Sequence, residues 1–183
     1  MKKLISIVTV ILFIASSYCQ AEERFKIKGT AKLIAVWDGE TLNDALGTLA
    51  SGDKISIATR EEVGVYVNVV RNNVTKQLVA IEGSEEVLEK TVIKVYEYDF
   101  DSDGQKELIV VHSPEFSITT VEVFRYSGGL VERVGNFSGE IDILLDKNTI
   151  HLPYGSQGLS NGYHYRDGAF FELIYHDPNK KTK

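Results

Sequence analysis

The residues best suited to chemistry in this sequence are the carboxylates of the run Asp99-Phe100-Asp101-Ser102-Asp103-Gly104-Gln105-Lys106-Glu107. Acidic side chains stand at loop positions 1, 3, 5 and 9, with glycine at position 6. A hard cation such as calcium takes about six to eight oxygen ligands, and a flexible acidic loop supplies them. The alternate spacing aims Asp99, Asp101 and Asp103 at one centre, and Gly104 permits the sharp turn. The carbonyl of Gln105 would add a backbone oxygen, and Glu107 would close the set. Four carboxylates this close repel one another unless a cation neutralises them. An EF-hand needs a bidentate Glu at loop position 12. Here position 12 is Val110, inside an apolar run from Leu108 to Val111, where an EF-hand would begin a helix. The competing reading is a hairpin turn with an Asp-Gly corner and no ion.

No second constellation of this kind stands out. The four histidines, His112, His151, His164 and His176, show no zinc-type spacing and read as solvated or structural. No Ser/His/Asp arrangement converges, so the sequence predicts a protein that is not an enzyme. The segment from Tyr154 to Tyr163 is rich in Tyr, Ser, Gly and Asn. That mixture suits an adaptable recognition loop, with Tyr154, Ser156 and Tyr163 as candidate partner-binding residues. An ordinary long hairpin connection is the alternative.

From about Tyr96 to Val111, the acidic run resembles the integrin-type calcium loop of FG-GAP and VCBS repeats. Those repeats carry Asp-x-Asp-x-Asp-Gly-x-x-Asp/Glu between two strands, followed by an apolar run. The resemblance implies a calcium site held between strands. The chain carries one copy, whereas propellers built from these repeats carry several. The same strand–acidic loop–strand unit also looks similar to periplasmic inhibitors of invertebrate-type lysozymes, which implies a hydrolase-blocking role on an exported β-scaffold. Those inhibitors insert a Ser/Gly/Tyr-rich loop into the enzyme. At that point this chain has His112-Ser113-Pro114-Glu115-Phe116 instead.

The N-terminus reads as a secretory signal peptide over residues 1–21. Lys2 and Lys3 give a positive start, Leu4 to Ala15 an apolar run, and the segment ends on the small residue Ala21. The run is short for a bilayer span, which takes roughly 20 residues. Of 183 residues, 162 remain after Ala21. Lys2 and Lys3 are the only charges lost, so the net charge moves from −6 to −8. An acidic chain is a poor partner for nucleic acid or an anionic membrane. The sole cysteine, Cys19, leaves with the signal, so no disulfide would hold the mature fold. These features predict a periplasmic or secreted protein with no transmembrane anchor, whose partner is another protein or a cell-envelope component.

The elements that must position the loop read as strands. Phe25 to Val36, Lys54 to Ala58, Val63 to Val70, Val74 to Ile81 and Thr91 to Tyr98 are rich in Val, Ile, Thr and Tyr. So are Leu108 to Val111, Thr119 to Tyr126, Leu130 to Val134, Ile141 to Leu145, Thr149 to Leu152, Gly162 to Tyr165 and Ala169 to Tyr175. Turn chemistry separates them at Arg71-Asn72-Asn73, Ser127-Gly128-Gly129, Asp146-Lys147-Asn148 and Arg166-Asp167-Gly168. Leu42, Ala45, Leu46 and Leu49 fit one face of a short helix over Glu40 to Leu49. Glu82 to Glu89 reads as a linker or one helical turn.

The expected fold class is therefore mainly β: an antiparallel sandwich or meander, or a partial propeller-like sheet, with one short helix. Four segments are expected: the signal at 1–21, an N-terminal β-rich region at 22–90, a C-terminal β region with the acidic loop at 91–176, and a flexible tail at 177–183. The predicted function is an exported β-rich binding module with one structural calcium loop. The alternative is an inhibitor or immunity-type protein that blocks a hydrolase such as lysozyme.

Overall fold

A computed structural model describes residues 25–41, 43–60, 64–114, 118–140, 142–154 and 159–173. The signal segment at 1–21 and the tail at 177–183 lie outside them. The described chain is mainly β. Its strands are β1 (Phe25–Lys28), β2 (Lys32–Asp38), β3 (Ala45–Thr48), β4 (Lys54–Arg60), β5 (Gly64–Arg71), β6 (Val74–Glu82), β7 (Thr91–Tyr98), β8 (Glu107–Pro114), β9 (Thr119–Ser127), β10 (Leu130–Gly139), β11 (Ile143–Asp146), β12 (Thr149–Tyr154), β13 (Leu159–Arg166) and β14 (Ala169–Leu173). One helix, α1 (Glu85–Glu89), lies between β6 and β7.

These strands form three sheets, ordered β10-β9-β8-β7-β2, β3-β4-β5-β6 and β1-β11-β12-β13-β14. The first is the central layer, because its side chains feed two separate cores. Ile93, Val95, Leu108, Val110 and Phe124 pack with Ile55, Ile57, Val65 and Val67 of the β3–β6 sheet. On the opposite face Tyr98, Ile109, Val111, Val121 and Val123 pack with Ile143, Leu145, Ile150 and Tyr165 of the β1/β11–β14 sheet. Successive residues of a strand point to opposite faces. A strand buried on both faces is therefore apolar without interruption, as Leu108 to Val111 is.

Hairpins account for most of the pairing. Asn72 and Asn73 adopt φ values of 49° and 63° in the two-residue turn between the paired residues Arg71 and Val74. Positive φ at both central residues matches the twist of the flanking strands, and asparagine tolerates it better than most residues. β1 is the exception to antiparallel pairing. It runs parallel to β11, with Phe25 opposite Ile143. No short turn joins these two strands, so nothing forces them antiparallel. β1 and β2 join sheets otherwise built from residues beyond 90, so pairing crosses that point in the chain.

The helix expected over Glu40 to Leu49 is not formed. Ala45–Thr48 is strand β3, paired with β4 across the Ser51-Gly52-Asp53 turn. The helical spacing misled because Leu46 is 72% exposed while Leu49 is buried, so the apolar residues do not share one covered face. Gly47 lets β3 approach β2: a Cβ there would lie 2.3 Å from the Ile34 carbonyl oxygen. The short helix is α1 instead, within the polar stretch 82–89. The amides of Val87 and Leu88 both reach the Ser84 carbonyl at 3.0 Å.

Candidate metal centre

The acidic loop joins β7 to β8, two neighbours in the central sheet. Tyr98 and Glu107 are the last paired residues before the loop leaves the ladder. Phe100 turns inward. Its ring lies 5.0 Å from Tyr98, 5.0 Å from Tyr165 and 5.3 Å from Phe170, two of these contacts edge-on. With Phe100 pinned in the core, Asp101 stands toward solvent while Asp99 stays half-buried. Ser102 and Gly104 take φ values of 61° and 87°, which curl the chain back.

Asp99, Asp101 and Asp103 come together. Each offers a carboxylate oxygen, and these oxygens lie within 4.8 Å of one another. Asp99 is half-buried, whereas Asp101 and Asp103 are exposed. Asp99 Oδ2 accepts the Gly104 amide at 3.0 Å, and Asp103 Oδ1 accepts the Gln105 amide at 2.7 Å. Asp99 Oδ1 is buried and has no hydrogen-bond partner.

Glu107 lies outside this group. It is 3% exposed and faces the core. Its Oε2 accepts the Phe100 amide at 3.3 Å, and its Oε1 accepts the Tyr165 hydroxyl at 3.0 Å. Burial pushes its carboxyl above the ordinary glutamate value. The bonds from Phe100 and Tyr165 offset this in part, and the charge of Asp101 adds to it. Burial, together with the facing Glu107 charge, likewise raises the Tyr165 hydroxyl. The wiring from loop to core through Phe100, Glu107 and Tyr165 was not read from the sequence. The one signal for it was an aromatic residue at loop position 2.

Carboxylate oxygens with no nitrogen or sulfur among them are the donors that suit calcium, magnesium or manganese rather than zinc or copper. Three such groups at this separation raise one another's energy when all are ionised. A bound divalent cation would remove that cost. The donor set therefore fits the ion, with Asp99, Asp101 and Asp103 as the residues that would hold it.

The candidate recognition loop is shorter than the sequence suggests. β12 runs through Tyr154, which pairs with Leu159 of β13, so strand covers both ends of the expected Tyr154 to Tyr163 loop. Tyr163 lies within β13. It packs against the inner core, with its ring 5.1 Å from that of Phe137. Ser156 lies outside the described residues.

A further polar group sits on the central sheet. Glu122 is buried, its Oε2 accepts Arg133 at 2.9 Å, and its Oε1 lies 3.7 Å from His112 Nε2. Burial pushes the Glu122 carboxyl up, but the Arg133 hydrogen bond and charge, with His112 close by, outweigh it and hold the group below its ordinary value. Neighbouring Thr120 pairs its hydroxyl with Ser138 at 3.2 Å. The group is a buried carboxylate matched by the Arg133 cation. His164 is bracketed by Thr149 and Asn148, at 3.2 and 3.4 Å.

Among the described residues no helix is long and apolar enough to cross a membrane. Comparison of the chain with protein-family models, with curated proteins and with solved structures finds no match.

Proposed function

We propose that this protein is an exported, β-rich binding module whose β7–β8 loop holds a calcium ion between Asp99, Asp101 and Asp103. The observation that carries the reading is Asp99: it belongs to a tight trio of carboxylates, and its Oδ1 is buried without a hydrogen-bond partner. An unpaired buried acceptor is costly, and a cation is the simplest partner for one among like charges. The ion's role is structural. The chain's own residues grip it on the outer side of the loop, while Phe100 and Glu107 anchor the inner side in the aromatic core. Neutralising the outer side fixes the inner side.

Two sequence features support the export half of the reading. One is the charged, apolar, small-residue layout of residues 1–21. The other is the loop's likeness to extracellular-type calcium repeats, since extracellular modules bind calcium at about 10⁻⁴ to 10⁻³ M, concentrations met outside the cytosol. The acidic balance favours a protein or cell-envelope partner over a polyanion.

Thermal unfolding of the chain lacking residues 1–21 tests the reading, in millimolar calcium and in excess chelator. A ligand that binds only the native state adds about 1.4 kcal/mol at tenfold over its Kd. For a chain of this size that raises Tm by about 3–6 °C. Equal midpoints in the two buffers would remove the calcium site.

A further inference from the structure

We infer that β14 is a self-association edge: two copies of this chain pair their β14 strands antiparallel about a two-fold axis at Phe171, joining two five-stranded sheets into one of ten. An edge strand offers a row of unpaired amides and carbonyls to any other strand. Folds usually block it with lysine, a bulge, a very short strand or a cover. Among the described residues the three sheets have six edges: β1, β2, β3, β6, β10 and β14. Five carry such a device. β1 holds Lys26 and Lys28 in four residues. β2, β6 and β10 each carry one extra residue at a register shift: Ile34, Leu78 and Val134. β3 is four residues long and is laid against β2 at Gly47. β14, with the sequence Ala169-Phe170-Phe171-Glu172-Leu173, has no lysine, no proline and no register shift against β13.

The side chains of β14 agree with an open edge. Phe170 turns into the core, with its ring 4.8 Å from that of Phe137 and 5.0 Å from that of Tyr165. Successive strand residues alternate, so Ala169, Phe171 and Leu173 share the opposite, outer face. There Phe171 is 48% exposed and Leu173 37%. Within the sheet they lie opposite His164 and Gly162, neither of which supplies an apolar cover. The Arg166 guanidinium stands 5.3 Å over the Phe171 ring and holds it by a cation–π contact.

The strand is self-complementary, which points to a second copy as its partner. A two-fold contact uses the same patch on both subunits. Centred on Phe171, it sets Phe171 opposite its own copy, Ala169 opposite Leu173 and Phe170 opposite Glu172. Every pair then shares a face, and the small Ala169 makes room for Leu173. Centring on Glu172 would set two like charges directly opposite each other, which destabilises. Centring on Phe170 would leave Leu173 beyond the end of the facing strand. A contact of one short strand from each copy is small, so the pair is weak and forms with rising concentration. No calcium is needed for it.

Sedimentation equilibrium of the chain lacking residues 1–21, from micromolar to near-millimolar concentration, should show the average mass rising from one chain toward two. Phe171→Lys, at an exposed position, should keep the thermal midpoint and weaken the dimer about tenfold or more. Single cysteines read the register, since the only native cysteine, Cys19, is absent from this chain. Directly opposite residues of antiparallel strands lie about 4.5–5.5 Å apart at Cα, within disulfide reach. Phe171→Cys should therefore form a disulfide-linked dimer on mild oxidation. Glu172→Cys, at a position that is also exposed, should stay single because it faces Phe170 of the second copy. A single-chain mass at every concentration would overturn the pairing and leave the edge to an extended strand of another protein. Equal cross-linking by the two cysteine variants would overturn it too, since that is random collision, and so would a dimer that Phe171→Lys leaves intact.

Discussion

The acidic loop is divided between two environments, with Phe100 and Glu107 buried and residues 101–106 exposed. Asp101 and Asp103 stand outside beside the half-buried Asp99, while Phe100 and Glu107 are held within. The alternation of the three aspartates was legible, because their spacing alone puts them on one side. The inward turn of Glu107 was not, because ligand and core carboxylate look alike until the Tyr165 hydroxyl is seen to meet it. Tyr165→Phe deletes that donor and leaves a buried carboxylate short of one bond. It should lower stability by about 1–3 kcal/mol, read from denaturant midpoints. The bond favours the ionised form of a group whose pKa burial has raised. Its loss should therefore cost more at a pH above the raised folded value, where Glu107 is ionised, than at one below it, where protonation relieves the burial. An equal cost at both pH values would mean that the hydroxyl does not serve the carboxylate.

At the scale of elements, the hairpins were readable because their turns have local causes. Asn72-Asn73, Gly128-Gly129 and Asp167-Gly168 tolerate the positive φ that tight connections demand. Strand β3 was not readable, because its identity depends on contacts distant in sequence: pairing with β4 and close approach to β2 through Gly47. The placement of α1 likewise rests on a glycine. Gly39, just past β2, donates its amide to the Thr91 carbonyl at 3.0 Å. A Cβ there would fall 1.9 Å from the Leu88 carbonyl oxygen, which is backbone and cannot swing aside. Gly39→Ala should therefore push the helix off the end of β2 and cost about 1–3 kcal/mol. A denaturant midpoint unchanged in this variant would show that the helix docks without that contact. Gly52→Ala is a useful comparison: its φ of 87° also resists a side chain, but a Cβ there meets nothing within 4 Å. Its cost would come from backbone strain alone.

Across the whole molecule, the β class was plain from composition and turn spacing, but the stacking of three sheets was not. Stretches such as Leu108 to Val111 carry apolar residues on both faces, and a sequence does not say which sheet each face meets. The central layer is what joins the two cores. It carries the acidic loop between β7 and β8, bonds the loop after β3 through Glu97 and Tyr126, and supplies a face to each core. An ion at the loop, as proposed, would act on the joint between the central sheet and the β1/β11–β14 sheet through Phe100 and Tyr165. The most direct measurement is anomalous diffraction from crystals of the mature chain grown in millimolar calcium. One calcium peak is expected, with oxygens of Asp99, Asp101 and Asp103 at about 2.3–2.6 Å. A loop that holds only water under those conditions would contradict it.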